Sequence, residues 1–230
     1  MTPSSIPGAR SFVTMLVWLN PEGSAALAQF RKAAAPLFAK YDLHIERVLA
    51  CTGKGELVGK NPHELPDLIQ VLSFPSLEAF RGYTADAEYV RLAALRDTGI
   101  RRMTAVIGQP LDVSALSPTS ASTPSQRLYG AAFVRFETGG AEGLAEFNRR
   151  AVTLFARHGM HVESMSEVVK VATPLGEPLV EFAPERVVVF FLDEASALRG
   201  YATDPEYVAL APIRDRGLRA YDFFLGKVPS

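Results

Sequence analysis

The chain has 230 residues, 48% of them hydrophobic and 21% charged, with a formal net charge of −1. This ordinary composition and near-neutral charge exclude the electrostatic footprint of a protein that binds nucleic acid or an anionic membrane, and no apolar run approaches the ~18 residues needed to span a bilayer. Cys51 is the only cysteine, so neither an intrachain disulfide nor a cysteine-based metal site can form, and the opening MTPSSIPGARS lacks the apolar segment of a signal peptide; a cytoplasmic location is expected.

Residues 1–10 are rich in Pro, Ser and Gly and are expected to be disordered. An apolar run of strand length follows, Phe12 to Asn20. Asn20-Pro21-Glu22 reads as a helix start, with an N-cap, proline at the first helical position and an acid in the first turn; the helix runs to about Tyr41. LHIERVLAC is the next strand, from Leu43 to Cys51. The following TGKGELVGKNPHELPD, broken by Gly and Pro, reads as a loop or hairpin arm. LIQVLSF, Leu68 to Phe74, is a third strand. Pro75 to Glu78 opens a second helix that breaks near Thr84, and Asp86 caps a new helical segment. Gly99 reads as its C-terminal glycine, and RRMTAVIG as the closing strand.

The same series then repeats. RGYTADAEYVRLAALRDTGIR, from Arg81 to Arg101, returns as RGYATDPEYVALAPIRDRGLR, from Arg199 to Arg219, at an offset of 118 residues. Earlier, Leu27, Phe30, Ala34, Leu37, Phe38 and Tyr41 are matched at an offset of 117 by Leu144, Phe147, Ala151, Leu154, Phe155 and His158. Steps of three and four put each set on one helical face. The chain therefore divides into unit 1 (11–109), a Pro/Ser/Thr-rich linker (110–127) and unit 2 (128–230), each unit of β-α-β-β-α-β order, the ferredoxin-like arrangement.

The strands FVTMLVWL, LIQVLSF and VVVFFL are apolar at nearly every position, whereas a sheet with one wet face should alternate. Both faces must be covered. The helices of each unit cover one, and the sheet of the other unit is the natural cover for the second. The expected architecture is α+β: two tandem units packed sheet to sheet around a pseudo-twofold axis.

The passages FPSLEAFRGYTADAEYVRLAALR and FLDEASALRGYATDPEYVALAPIR resemble the dimeric α+β-barrel superfamily, which includes antibiotic-biosynthesis monooxygenase-like and muconolactone-isomerase-like proteins. The resemblance covers both copies and implies an intramolecular pseudo-dimer, with further homo-oligomers open. It implies a small organic ligand, and a cofactor-independent oxygenase or isomerase acting on an aromatic or polyketide-like compound. A non-catalytic small-molecule-binding or interaction protein is the rival expectation. The superfamily also includes haem-binding relatives with two units per chain, for which His158, a helical histidine, is the candidate ligand.

Four residues stand out as catalytic candidates: His44 and Glu46, with their copies His161 and Glu163. At i and i+2 on a strand, each pair shares one face about 6.6 Å apart, aimed between the sheets. A histidine beside a carboxylate is a general base in form, and two such pairs could hold a divalent ion, although the pattern requires no metal or cofactor. The alternative is a polar network that fixes how the halves dock. Trp18 and Arg135 occupy equivalent positions of the two first strands and are substrate-binding candidates because the copies have diverged there; Glu163 is the expected partner of Arg135. Tyr83 and Tyr201 could donate to a substrate oxygen. Arg96-Asp97 and Arg214-Asp215 read as helix-end residues suited to the dipole. On this reading the shared passage is caps and packing, and function belongs where the copies differ.

Overall fold

The computed structural model describes residues 8–116 and 127–229. Most of the expected disordered start (1–7) and of the linker (117–126) lies outside the described residues.

The order in the first half is β1 (Ser11–Leu19), α1 (Gly23–Lys40), β2 (His44–Val58), β3 (Leu68–Phe74), α2 (Leu77–Ala85), α3 (Ala87–Gly99) and β4 (Ile100–Leu111). The second half repeats it as β5 (Leu128–Phe136), α4 (Ala141–Arg157), β6 (Met160–Leu175), β7 (Arg186–Leu192), α5 (Ala197–Thr203), α6 (Pro205–Asp215) and β8 (Leu218–Lys227). All eight strands join one closed antiparallel barrel in the order β1-β3-β2-β8-β5-β7-β6-β4. The halves are therefore stitched edge to edge, through β2–β8 and β4–β6, as well as facing each other across the interior. Closure leaves no strand edge free to pair with another chain. Among the described residues no helix is long and apolar enough to cross a membrane.

The doubly apolar strands are explained by two covers. On β1, Val13 and Val17 face the helices while Leu16 and Trp18 face the barrel interior. On β7, Val188, Phe190 and Leu192 face the helices while Val187, Val189 and Phe191 face inward. The interior is thus a filled aromatic and aliphatic core, and each half carries a second core under its helices.

Two local expectations are corrected. The segment after Cys51 is no hairpin arm: β2 continues to Val58 because residues 50–58 pair with β8 of the other half. Gly55 makes this possible, since a Cβ there would lie 2.5 Å from the Phe223 ring across the ladder. The first helix starts at Gly23, preceded by Glu22 in the left-handed region (φ 59°), and not at Pro21; the Asn20 side chain instead donates to the Thr98 carbonyl at 3.0 Å. A Cβ on Gly23 would lie 2.0 Å from the Gly99 carbonyl oxygen, and Gly140 and Gly217 make the same contact in the second half. Gly99 and Gly217 thus serve a backbone-to-backbone approach between neighbouring helix ends of the same half, since neither adopts the positive φ of a C-terminal cap.

Candidate functional site

Each half opens a cavity between its helices and its outer sheet face, and the two are built from equivalent residues. The second-half cavity is about 330 Å³ and the first-half cavity about 350 Å³. Both fall in the range of small-molecule pockets. In the second half the walls are aromatic and aliphatic, including Phe147 and Phe155 of α4 and Phe190 of β7. Their counterparts Phe30, Phe38 and Leu72 wall the first.

The repeated passage supplies the polar end of each cavity. α5 and α6 meet at Asp204, whose carboxylate accepts from the Glu206 backbone N–H at 2.8 Å, and Asp86 caps α3 in the same way. This break turns two tyrosines towards each other: the Tyr201 and Tyr207 rings lie 4.5 Å apart, and Tyr83 and Tyr89 4.6 Å. Two turns along α6, Arg214 reaches back so that its Nη1 donates to the Tyr207 hydroxyl, while its Nε donates to Asp215 at 2.5 Å. Arg96 repeats this with Tyr89 and with Asp97 at 2.6 Å. Arg214 is 4% exposed and Arg96 7%, so each cavity holds an almost fully buried guanidinium. Burial raises the Tyr201, Tyr83, Tyr207 and Tyr89 phenols, and the arginines oppose that rise. These hydroxyls remain protonated donors at neutral pH.

The cavities differ in charge. Arg31 of α1 lines the first, where Asn148 of α4 stands in the second. Each also takes a charged residue from the opposite half: Lys170 of β6 in the first, Glu56 of β2 in the second.

The histidines expected to move protons line neither cavity. His44 sits on the rim where β2 begins, its side chain 57% exposed, with Nε2 2.9 Å from Asp42. His161 is buried at the same end, stacked on Phe191 (centroids 4.6 Å, interplanar angle 14°) and 3.2 Å from Asp193. Neither pairs with the carboxylate two residues on. A β-bulge interrupts the ladder at Glu46 and again at Glu163, and one extra residue exchanges the faces beyond it. Glu46 accepts from the Ser73 hydroxyl, and Glu163 pairs with Arg47 of the other half, whose guanidinium lies 4.9 Å from the Tyr129 ring centroid.

Of the substrate-binding candidates, Tyr83 and Tyr201 line the cavities, while Trp18 belongs to the barrel interior and Arg135 lines neither cavity. Trp18 is fully buried with Arg102 over its ring at 5.2 Å. Arg135 donates to the Glu181 carbonyl at 2.7 Å and lies 3.5 Å from Asp222, so its expected partner Glu163 is not its partner. His158 holds Asp204 at 2.8 Å.

Three residue sets were missed from sequence. Arg96 and Arg214 looked like helix-end charges. Arg31 stood beside the apolar stripe, but its divergence from Asn148 at offset 117 was a legible signal. Glu56 and Lys170 lie on strand extensions that only cross-half pairing creates. The repeated passage, expected to hold only caps and packing, also supplies tyrosines and arginines that line both cavities.

Residues 15–109 match the domain of unknown function DUF1330. No curated protein matches the chain. Among solved structures, an anthrone oxidase-like protein is similar over 99% of this chain and 94% of its own, with 13% identity and a TM-score of 0.61. A protein from Lactobacillus acidophilus NCFM, provisionally described as a monooxygenase, gives 94% and 92% coverage, 11% identity and 0.54. A haem-binding protein from Thermus thermophilus gives 99% and 96%, 10% and 0.53. At such identities the likeness is one of fold: the chain is a dimeric α+β barrel closed within one polypeptide, and its first half carries the match to DUF1330.

Proposed function

We propose that the second-half cavity binds a small, flat, largely apolar molecule by its faces and one carbonyl or phenol oxygen by Arg214 and the adjoining tyrosines, and that the chain acts on it as a cofactor-independent oxygenase or isomerase. The observation that carries this is the Arg214 guanidinium, buried in the cavity wall and bonded, among the described residues, only to Asp215 and Tyr207. A fixed cation in a largely apolar cavity favours charge that develops on a substrate oxygen, the requirement for forming an enolate or phenolate. Glu56 is the one carboxylate lining this cavity among the described residues, and it is the proposed proton acceptor. His44 and His161 have no part in this reading, because both lie away from the cavity. Among the described residues no histidine or cysteine lines either cavity, and His158 pairs with Asp204 outside both linings, so a haem there would find no histidine or thiolate ligand.

The test is titration calorimetry with anthrone and 1-naphthol, followed by aerobic incubation and mass analysis of the recovered ligand. Arg214→Met should weaken binding about tenfold or more, the worth of a charge-assisted hydrogen bond. Glu56→Gln should keep binding and stop turnover. Ligand returned unchanged by the wild-type protein would leave the non-catalytic binding reading. Binding indifferent to Arg214→Met would remove both.

A further inference from the structure

The two cavities share a frame but differ in charge. Aligning the halves, Asn148, Val188 and Ala202 of the second cavity are replaced in the first by Arg31, Gln70 and Thr84. At the mouths, Glu56 of the second is answered by Lys170 in the first. Every one of these differences makes the first cavity more polar or more positive. It is lined by Arg31, Arg96 and Lys170 with no carboxylate among the described residues, whereas the second balances Arg214 against Glu56.

Arg31 carries the argument. Arg96 is matched by Asp97, but the Nε and Nη2 atoms of Arg31 are closed off from solvent and have no hydrogen-bond partner among the described residues. Guanidinium N–H groups closed off from water without an acceptor are costly to the fold and are normally paired. Desolvation by burial also pushes its pKa below the ordinary arginine value, and an anion placed beside it would oppose that shift. Lys170 lies beside Ile107, on the cavity side of β4, and comes from the other half, so the charged site is complete only in the closed barrel.

We infer that the first-half cavity is a second, anion-selective site, which takes a molecule with an apolar body and one negatively charged head held by Arg31, with Lys170 guarding the entrance. Planar guanidinium donors suit a carboxylate head, which can accept two parallel bonds. The apolar body would lie along Phe30, Phe38 and Leu72. One chain would then hold two unlike ligands, an anionic one in the first half and a neutral one in the second. This inference stands independently of the chemistry proposed for the second half.

The test uses decanoate and decanol, which share a body and differ in the head. Binding to the full chain is measured by titration calorimetry at pH 7, with wild type, Arg31→Asn, Arg31→Lys, Lys170→Gln and Arg214→Met. Decanoate should bind the wild type at least about tenfold tighter than decanol, and Arg31→Asn should erase most of that preference. Asn is the residue the second half carries at this position, so the variant suits the fold. Arg31→Lys should recover part of the preference by charge alone, and Lys170→Gln should lower it by a smaller factor. Arg214→Met should leave decanoate affinity within about twofold, which separates this site from the second-half cavity. Absence of decanoate binding, decanol binding equally well, or Arg31→Asn behaving as wild type would each overturn the inference.

Discussion

Tyr207→Phe removes one oxygen atom and asks what the buried arginine is worth. In the native chain Arg214 Nη1 donates to that oxygen, both residues are less than a tenth exposed, and the remaining partner is Asp215 on the Nε side. Phenylalanine keeps the ring, its 4.5 Å contact with Tyr201 and its place over the guanidinium, so packing changes little. What is lost is an acceptor for a charged, buried donor. A hydrogen bond to a charged group contributes about 1.5–3 kcal/mol, and stranding the donor puts the cost towards the upper end. Against a typical total of about 5–15 kcal/mol, this is readily seen as a shift of the urea midpoint at constant slope. Tyr89→Phe should cost a similar amount, because Arg96 and Tyr89 repeat the geometry. The sites lie in different halves and share no partner, so the double variant should equal the sum to within about 0.5 kcal/mol. A neutral ligand that offers its oxygen to Arg214 should recover part of the loss in Tyr207→Phe and none in Tyr89→Phe. A cost below about 0.5 kcal/mol at both tyrosines would refute the claim that these arginines are buried charges in need of acceptors.

Gly217→Ala places a methyl group 2.2 Å from the Gly140 carbonyl oxygen, a backbone atom that cannot swing aside, whereas a Cβ at Gly53 meets nothing within 4 Å. Thermal denaturation should show a loss of about 1–3 kcal/mol for the first and almost none for the second; equal effects would refute the close-approach account. Asp204 has its carboxyl pulled down to about 2 by the hydrogen bond from His158, with help from the Glu206 N–H and Arg157. Its folded value lies below the unfolded one, so the unfolded chain binds the proton first as pH falls. Its stabilising contribution is therefore full above about pH 4 and is lost between about pH 4 and 2. Asp204→Asn should flatten that part of the stability–pH curve, and an Asp204 carboxyl carbon that titrates near its ordinary value by NMR would contradict it.

Much of the architecture was legible in the residues. A repeat at a near-constant offset can only mean two copies of one unit, and strands apolar on both faces require two covers. Both signals are local, and each survives whatever the rest of the chain does. The candidate site was half legible. Tyr83 and Tyr201 were recognised as possible donors, but Arg96 and Arg214 were assigned to the helix dipole, because sequence shows that they end a helix and not that they fold back over a tyrosine seven residues earlier.

Tertiary structure alone decided the rest. The His–Glu pairs separate because a bulge, invisible in residue type, inserts one position and exchanges the faces of β2 and β6. Val58 ends β2, and Leu175 ends β6, because strands of the opposite half extend the ladder; a Gly-rich stretch with no strand propensity of its own becomes strand by pairing. The same pairing carries Glu56 and Lys170 across the boundary between the halves to the cavities they line. The duplicated sequence by itself determines that there are two copies of one unit. Which residues give each cavity its charge depends on long-range strand register, a property of the closed barrel that no local segment encodes.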